Sequence, residues 1–205
     1  MARLTTAGLV AWWRGLAPRA GRTAVLAVDG RSGSGKTVLA AALTAGAGAE
    51  VVSLDEFYPG WDGLAAAPGL LVEQVLLPLA QGRPAAVPRW DWTAGAFGAP
   101  RLLAPGPLLL VEGVGCGDPA GAPYLSGLVW LDLPAALRRE RALGRDGAVY
   151  APHWDRWAAQ EDAYLRRSRP DRRADLVLEG RTDGADGLVV IADRRYAGDA
   201  VTGGR

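Results

Sequence analysis

The sequence predicts an α/β fold of three layers, in which helices cover both faces of a mainly parallel, five-stranded sheet. Five short, largely apolar runs lie along the chain, at residues 23–28, 51–54, 108–111, 128–131 and 175–178. Such runs are typical of strands that are buried on both faces. Stretches with helical spacing of apolar residues separate them, and strands that alternate with helices form right-handed crossovers and therefore a parallel sheet.

The other elements follow in chain order. Residues 1–20 are expected to contain an amphipathic helix whose tryptophan side packs on the domain. Helices are predicted at four further places: 37–43, 70–80, a stretch that begins at Pro134, and about 154–167. Residues 188–191 are a candidate edge strand within a C-terminal tail, 181–205. No linker is long enough to divide the chain, so a single domain over 1–205 is expected.

Composition excludes several classes of protein. Apolar residues make up 49% of the 205 residues and charged residues 22%, which is ordinary for a globular chain. The net charge of +1 gives no overall basic footprint for nucleic acid. One cysteine and one histidine rule out a disulfide framework and a Cys/His zinc site. No secretory signal is recognisable and no run reaches the roughly 18 uninterrupted apolar residues of a membrane span, so we expect a cytoplasmic protein without a membrane partner.

The turn after the first predicted strand carries the strongest motif in the chain. Its residues match the pattern G-x-x-x-x-G-K-[ST]: Gly30, Arg31, Ser32, Gly33, Ser34, Gly35, Lys36 and Thr37. Glycines let successive backbone N–H groups point at one anion, the lysine reaches the β- and γ-phosphates of a nucleotide, and the threonine hydroxyl ligates Mg²⁺. The motif predicts the P-loop NTPase fold, with ATP and Mg²⁺ as cofactors. Lys36 is the only lysine in the sequence.

Two absent motifs narrow the class of P-loop protein. A GTPase needs an N-K-x-D motif to recognise the base, and the chain contains no asparagine. An ABC-type ATPase needs an L-S-G-G-Q element, which the sequence lacks. A kinase or a less typical ATPase remains, and the acidic residues around the phosphates distinguish the two.

Acidic residues end the predicted strands at the sheet edge where ligands bind. Asp55 follows the second strand, where a carboxylate can accept the proton of a substrate hydroxyl; a helix cap or a surface turn is the alternative. Glu112 ends the third strand and is placed to hold Mg²⁺ through water; the alternative is a buried acid paired with an arginine. Thr37, Glu112 and Asp55 are therefore the candidate metal-site residues.

A small lid is predicted at 134–150, where four arginines crowd one helix and the turn after it: Arg138, Arg139, Arg141 and Arg145. Such a cluster suits a lid that clamps phosphates, whereas the alternative is an ordinary solvated helix face. Lys36, Arg141 and Arg145 join Asp55 as the candidate catalytic residues.

These residues resemble the uridine kinase family, which shares its P-loop kinase fold with phosphoribulokinase and pantothenate kinase. The similarity covers about residues 23–180, and the phosphate loop matches the family's G-x-S-G-S-G-K-T. Residues 55–58 resemble its D-[S/D]-F-Y, whose aspartate is the catalytic base, so Tyr58 becomes a candidate substrate-binding residue. Trp61 and Asp62 resemble an aromatic–aspartate pair in which the ring packs on the base and the carboxylate takes the sugar hydroxyls.

Three more segments extend the resemblance toward the end of the chain. Residues 112–114 resemble the family's E-G-I, whose glutamate serves the metal. Arg141 and the pair Arg145-Asp146 resemble its R-x-x-R-D lid, with one extra residue between the arginines. Residues 174–178 resemble its A-D-x-I-I strand.

The acceptor side departs from the family. Residues 88–92 resemble its P-x-Y-D-F and add Trp90, Asp91 and Trp92 to the candidate substrate-binding residues. The family then carries a histidine and an arginine that help define its nucleoside pocket, whereas residues 93–97 contain neither. Without those donors the reason to expect that base is lost. The tryptophans are then either core residues or the walls of a flat pocket for a ring-bearing alcohol.

The sequence thus predicts a kinase that uses ATP and Mg²⁺ to phosphorylate a hydroxyl of a small molecule, with a nucleoside as one candidate. Two alternatives stay open. One is a kinase of a non-nucleoside alcohol, such as a pantothenate-like or sugar-like metabolite. The other is a nucleotide-binding regulator or ATPase that has no small-molecule acceptor. The sequence does not specify the oligomeric state.

Overall fold

The structure, a computed structural model, describes residues 3–180 and 188–195. Its strands are β1 (Arg3–Leu4), β2 (Ala24–Gly30), β3 (Glu50–Ser53), β4 (Ala85–Val87), β5 (Trp90–Asp91), β6 (Ala96–Phe97), β7 (Arg101–Leu103), β8 (Leu108–Glu112), β9 (Leu125–Asp132), β10 (Leu176–Glu179) and β11 (Leu188–Asp193). Its α-helices are α1 (Thr6–Arg14), α2 (Lys36–Ala47), α3 (Ala67–Leu71), α4 (Leu77–Ala80), α5 (Ala135–Tyr150), α6 (Trp154–Ser168) and α7 (Pro170–Arg173). A π-helical turn over Val72–Leu76 joins α3 to α4.

Within these residues, seven strands form one sheet in the order β1-β11-β10-β9-β2-β8-β3. Its parallel strands, β3, β8, β2, β9 and β10, correspond to the five apolar runs of the sequence. β11 lies antiparallel to β10, so the candidate edge strand belongs to the sheet, and β1 pairs antiparallel with β11. β1 was not predicted, because a strand of only two residues shows no hydrophobic periodicity in the sequence. The mainly parallel α/β fold is confirmed, and two antiparallel strands, the candidate edge strand β11 and the unpredicted β1, add to the five predicted ones.

Helices cover both faces of the sheet because residues along each central strand alternate between two apolar cores. In β2, Leu26 and Val28 belong to a core that includes residues of α1 and α2. Val25 and Ala27 belong to the opposite core, which includes residues of α3, α4 and α6. Trp13 of α1 is buried, which agrees with a tryptophan side that packs on the domain. The layers are therefore helix, sheet and helix, as the sequence predicts.

Two smaller sheets and the lid lie outside the main sheet. β4 pairs with β7 and β5 with β6, both antiparallel. The predicted lid corresponds to α5, whose last turns are interrupted at Gly147, where φ is 52°. Of the predicted tail, residues 181–187 and 196–205 lie outside the described residues. The single domain over 1–205 stays a prediction.

One stretch of the described residues, Gly63–Ala80, is 18 residues long and apolar enough to cross a membrane by length and composition alone. The core helix of a soluble protein meets the same test, so the observation is weak evidence for a membrane span. Leu71, Val75 and Leu79 of this stretch are buried in the core beside the sheet. We therefore interpret the stretch as a core helix.

The order of the central strands positions the candidate site. β2 lies between β9 and β8, and β3 lies on the other side of β8. Because these strands are parallel, their carboxyl ends meet at one edge of the sheet. The phosphate loop after β2, Asp55 just after β3 and Glu112 at the end of β8 therefore come together from adjacent strands.

Candidate active site

The phosphate loop connects β2 to α2 and leaves the start of that helix uncapped by any side chain. Gly35 precedes the helix with a φ of 96°, in the left-handed region that glycine adopts most easily. Gly33 has a φ of 79°, and a Cβ there would lie 2.1 Å from the backbone oxygen of Arg138. Both glycines are thus required by geometry. The first N–H groups of α2 lack partners within their own helix, which is the arrangement that binds an anion.

Five of the eight loop residues line a cavity, and the other three support the loop. The lining residues are Ser32, Gly33, Gly35, Lys36 and Thr37. Gly30 ends β2, and Arg31 turns its side chain away to Glu161 and Asp162 of α6, at 2.9 and 2.7 Å. Ser34 is buried, with its N–H donating to the backbone oxygen of Arg31. The predicted loop is therefore present, with the Arg31 side chain paired to α6 instead of facing the cavity.

Lys36 is nearly buried at the first position of α2. Its Nζ donates a hydrogen bond to the backbone oxygen of Arg31 at 3.2 Å. Burial raises the pKa of the Glu112 carboxyl, and the nearby charge of the amine opposes that rise. The only lysine of the chain therefore lies between the loop backbone and the predicted metal site.

Glu112, Ser53 and Thr37 form an oxygen-rich cluster beside the loop. Glu112 is 4% exposed, and its Oε1 accepts hydrogen bonds from the Ser53 hydroxyl at 2.8 Å and the Thr37 hydroxyl at 3.4 Å. Burial raises the pKa of Glu112, Lys36 opposes that rise, and the Asp55 carboxylate adds to it. A cation at this place would stabilise the ionised carboxylate.

These oxygens fit a Mg²⁺ ion, which prefers carboxylate and hydroxyl ligands. Among residues 3–180 and 188–195, no group of three or more His, Cys, Asp and Glu side chains could hold a metal ion alone. Mg²⁺ typically keeps several waters and binds through one or two carboxylates together with substrate phosphates. Thr37 and Glu112 would therefore hold the ion with the phosphates of a nucleotide, and Asp55 lies close to this pair.

The cavity has a volume of about 770 Å³ and two distinct ends. Its phosphate end is lined by the five loop residues with Glu112, Arg141 and Arg145. Its aromatic end is lined by Tyr58, Trp61, Trp92, Tyr150 and Trp157. Asp55 and the smaller side chains of Val38, Val114, Ala142 and Val149 complete the lining.

Asp55 lies where the two ends of the cavity meet. Its backbone oxygen accepts a hydrogen bond from Nε1 of Trp92 at 3.2 Å, at the aromatic end. Its carboxylate influences the pKa of Glu112, at the phosphate end. Asp55 is exposed to the cavity. A hydroxyl bound at the aromatic end would therefore meet this carboxylate next to the phosphate loop.

The four lid arginines divide into two groups. Arg141 and Arg145 line the cavity. Arg138 is 6% exposed and lies behind the loop, where it donates to the backbone oxygen of Ser32 at 3.4 Å. Arg139 is exposed and is not part of the lining. The two arginines that the family resemblance selects are thus the two that face the cavity.

Trp61 is the centre of the aromatic end. Its ring stacks on the rings of His153 and Tyr150, with centroids 4.2 and 5.4 Å away. The ring of Trp92 lies 4.8 Å away at an interplanar angle of 52°. Tyr58 is buried and donates its hydroxyl to a backbone oxygen at 2.9 Å. Because Tyr150 ends α5, the helix of the predicted lid packs directly against the predicted acceptor residues.

Three predicted substrate-binding residues are not part of the cavity lining. Asp62 forms an ion pair with Arg156 of α6 through both of its carboxylate oxygens. Asp91 accepts hydrogen bonds from the backbone N–H groups two and three residues further on, and these bonds lower its pKa. Trp90 packs edge-on against Phe97, with ring centroids 5.0 Å apart. Their roles in substrate binding stay predictions, because each has another partner in the structure.

Two buried carboxylates, to which the sequence analysis gave no role, hold the phosphate loop from outside. Asp29 directly precedes Gly30 and is fully buried, which raises its pKa. It accepts hydrogen bonds from the N–H groups of Gly30 at 2.7 Å and Gly117 at 2.9 Å, and from the Tyr164 hydroxyl at 2.6 Å. The start of the loop is thus tied to α6 and to the segment that follows β8.

Glu161 is the second carboxylate, and it is 1% exposed. The sequence around it, Gln160-Glu161-Asp162, has the composition of a solvated helix face. A signal was nevertheless present, because Glu161 lies four residues after Trp157 and three before Tyr164, on one helix stripe. A glutamate between two aromatic residues at that spacing indicates a buried acid with a specific partner.

A phosphate loop after the first central strand of a helix-covered parallel sheet defines the P-loop class of α/β folds. Comparison of the sequence with models of protein families gives no match, and comparison with curated proteins gives none either.

Solved structures do match. A protein described as a possible uridine kinase from Bacillus stearothermophilus is 23% identical, with a TM-score of 0.55 over 76% of this chain and 88% of that one. A protein described as a candidate fructose transport system kinase from Silicibacter sp. TM1040 is 21% identical, with a TM-score of 0.53 over 83% of this chain and 95% of that one. These similarities confirm the fold, a three-layer α/β fold of the P-loop class, as the motifs predict.

Proposed function

We propose that this protein is a kinase that transfers the γ-phosphoryl group of ATP to a hydroxyl of a small molecule, with Mg²⁺. One observation carries the proposal. Asp55 lies in the same cavity as the phosphate loop, at the junction between the loop and a pocket of aromatic side chains. A nucleotide-hydrolysing protein needs only a group that positions water beside the phosphates, whereas transfer to an alcohol also needs a second compartment that binds the acceptor beside the base.

The proposed reaction assigns a task to each group. The acceptor oxygen attacks the γ-phosphorus while its proton passes to a carboxylate oxygen of Asp55. The bond from the γ-phosphorus to the bridging oxygen breaks, and ADP leaves with the electron pair. Lys36, Arg141, Arg145 and the loop N–H groups stabilise the charge on the transferring group. Mg²⁺, when bound, neutralises phosphate charge, and Thr37 and Glu112 are the residues that would hold it.

A second candidate function, transfer to a non-nucleoside alcohol, has a specific observation in its favour. The carboxylates of Asp62 and Asp91, which the family resemblance assigns to the acceptor side, are engaged with Arg156 and with a local turn. Each buried hydroxyl or amide of a ligand that lacks a partner costs about 1–3 kcal/mol. A sugar or a nucleobase has many such groups, whereas a ring-bearing alcohol with few hydroxyls needs mainly Asp55 and the rings.

The test is acceptor-dependent ADP release by the full chain, measured with a panel of nucleosides, sugars, pantothenate-like alcohols and aryl alcohols. We expect at least one alcohol to stimulate ADP release in the presence of Mg²⁺. Asp55→Asn should reduce this release by about 10²–10⁴-fold, the usual contribution of a general base, and leave ATP binding nearly unchanged.

The matched control is Glu56→Gln, which removes the neighbouring acid of the same turn and should retain nearly full release. ATP hydrolysis that no alcohol stimulates would support the rival function, an ATPase or nucleotide-binding regulator without an acceptor. Full turnover by Asp55→Asn would contradict the assignment of the base. We also propose that the protein is cytoplasmic.

A further inference from the structure

One peptide unit of the phosphate loop, between Arg31 and Ser32, is held from both sides. Its N–H, on Ser32, donates to Oε1 of Glu161 at 2.7 Å. Its C=O, on Arg31, accepts from Nζ of Lys36 at 3.2 Å. Because a trans peptide is planar, its N–H and C=O point in opposite directions. The hydrogen bond from the N–H to Glu161 therefore also fixes the orientation of the C=O, which points in the opposite direction, toward Lys36.

Glu161 is suited to hold this peptide because its carboxylate is buried and fully engaged. Oε2, the oxygen that does not accept from Ser32, accepts from Nε of Arg31 at 2.9 Å. Nη1 of Arg138 lies 3.9 Å from the same oxygen. Two arginines thus balance the buried negative charge, and hydrogen bonds to an ionised acceptor are about twice as strong as neutral ones. A flipped peptide would aim its carbonyl oxygen at this carboxylate, which electrostatic repulsion disfavours.

The helix that carries Glu161 also reaches the rest of the site. Trp157 of α6 lines the aromatic end of the cavity, and Tyr164 donates to Asp29 at the start of the loop. Glu161 lies between them on the buried stripe of the helix. The carboxylate is therefore held by a rigid element instead of a loop, which is what a preorganised site requires.

We infer that Glu161 is a positioning residue for nucleotide phosphates: it locks the Arg31–Ser32 peptide so that the loop and Lys36 are preorganised for a triphosphate. The inference rests on the proposed function, since it assumes that the loop binds ATP. It assigns no contact between Glu161 and the nucleotide. Its effect on ATP passes through the loop backbone and Lys36.

The experiment measures binding of a fluorescent ATP analogue with Mg²⁺ to the full chain, without any acceptor, and competition by inorganic tripolyphosphate. Glu161→Met fills the same space but removes the acceptor oxygens. We expect it to weaken both ligands by the same factor, about tenfold, which corresponds to the loss of one charge-assisted hydrogen bond. Glu161→Gln keeps one acceptor oxygen for the Ser32 N–H and should restore most of the affinity. Such rescue is not expected from a role limited to general stability.

Asp162→Asn is the matched control. Asp162 is the next residue of α6, its side chain is 49% exposed, and it pairs with Arg31 but not with the Ser32 N–H. Exposed ion pairs contribute little, so this variant should bind ATP as the unaltered chain does.

The outcomes separate the inference from the proposed function. No ATP binding by the unaltered chain would contradict the proposed function. ATP binding that is equal in Glu161→Met and in the unaltered chain would overturn the inference alone. Where Glu161→Met does not fold, the double variant Arg31→Met/Glu161→Met decides, since apolar replacement of a buried ion pair is often tolerated. The double variant must then show the same tenfold weakening relative to the unaltered chain, and normal affinity would overturn the inference.

Discussion

The phosphate end and the aromatic end of the cavity are built in different ways. At the phosphate end, one continuous loop forms most of the site, beside the side chains of Glu112, Arg141 and Arg145. Buried carboxylates from β2 and α6 hold the loop backbone in place. At the aromatic end, rings come from four separate segments, and some are open to solvent, with Trp92 42% exposed. A backbone site tolerates almost no change in geometry, whereas a site made of side chains changes whenever one ring is replaced.

The two ends of the cavity differ in the features of a ligand that they can distinguish. In the proposed function, the donor nucleotide is bound mainly through its phosphates, which are the same in every nucleoside triphosphate. The proposed acceptor is bound through ring shape and through the few polar groups near Asp55. A change of acceptor would then require substitutions at the aromatic end and none at the phosphate end.

The largest effect is expected from the phosphate end. Lys36→Met removes the amine that lies between the loop and Glu112. We expect acceptor-dependent ADP release to fall about 10²–10³-fold, as is typical when one preorganised donor to developing charge is removed. Steady-state ADP release at saturating acceptor measures the effect. A fall of less than about tenfold would contradict the proposal that Lys36 stabilises the charge on the transferring group.

The composition of the chain supplies an independent readout for this prediction. Lys36 is the only lysine, so reductive methylation labels its amine and the N-terminal amine alone. ATP should protect Lys36 from labelling and leave the N-terminal amine unprotected, as measured by mass spectrometry of the digested protein. Equal labelling of Lys36 with and without ATP would place the triphosphate elsewhere.

The difference between the phosphate end and the aromatic end also explains which features of the molecule could be predicted from the sequence. The central strands and the loop were predictable because apolar runs and the G-x-x-x-x-G-K-[ST] pattern are local signals. Asp55 and Glu112 followed from the rule that ligands bind at the carboxyl ends of parallel strands. These inferences need the position of a residue along the chain and no knowledge of its neighbours in space.

Side-chain partners from distant segments could not be predicted in this way. Asp62 and Arg156 are 94 residues apart in sequence, and Glu161 is 129 residues from Ser32. The family resemblance gave Asp62 to the sugar hydroxyls, whereas its carboxylate pairs with α6 in the structure. Arg138 and Arg141 are one helical turn apart, yet one lies behind the loop and the other lines the cavity. Which of two neighbouring arginines faces a site depends on how the helix is rotated against the sheet.

A smaller effect is expected at the aromatic end. Trp92→Leu removes a ring 4.8 Å from Trp61 and the hydrogen bond to the backbone of Asp55. Aromatic pairs contribute about 0.5–1.5 kcal/mol beyond the area that they bury, so the KM of a ring-bearing acceptor should rise by about three- to tenfold. The KM of ATP should stay unchanged, because the phosphate end does not include Trp92.

Trp90→Leu is the matched control for this prediction. Trp90 packs on Phe97, away from the cavity lining, so its removal should leave the acceptor KM close to that of the unaltered chain. If both variants raise the acceptor KM equally, the prediction from sequence that both rings bind substrate is correct and the aromatic end is larger than its lining residues suggest. If Trp92→Leu raises the KM of ATP as much as that of the acceptor, the division of the cavity into two ends is wrong.

The smallest effect concerns stability, and its sign follows from the raised pKa of Glu112. Burial raises the pKa of this carboxyl above its ordinary value of 4.5, so the folded chain binds a proton more readily than the unfolded chain. Ionised Glu112 therefore lowers the stability of the fold at every pH above its raised pKa, and this cost disappears as the pH falls below the ordinary value. Glu112→Gln carries no charge, so the variant should melt at a higher temperature than the unaltered chain at neutral pH.

A gain of about 2–4 °C in Tm is expected, the shift that about 1 kcal/mol produces in a domain of this size. The gain should vanish at a pH below 4.5, the ordinary pKa of this carboxyl.

Asp193→Asn is the control of opposite sign, because a hydrogen bond from Arg195 lowers the pKa of Asp193. That variant should be slightly less stable than the unaltered chain at neutral pH, and the difference should vanish in acid, where protonation of Asp193 removes the same contribution from the unaltered chain. A Tm gain in Glu112→Gln that is independent of pH would mean that packing, and not charge, is responsible. A pH-dependent gain would instead indicate that the phosphate end keeps an unfavourable buried carboxylate, as expected of a residue retained to hold Mg²⁺.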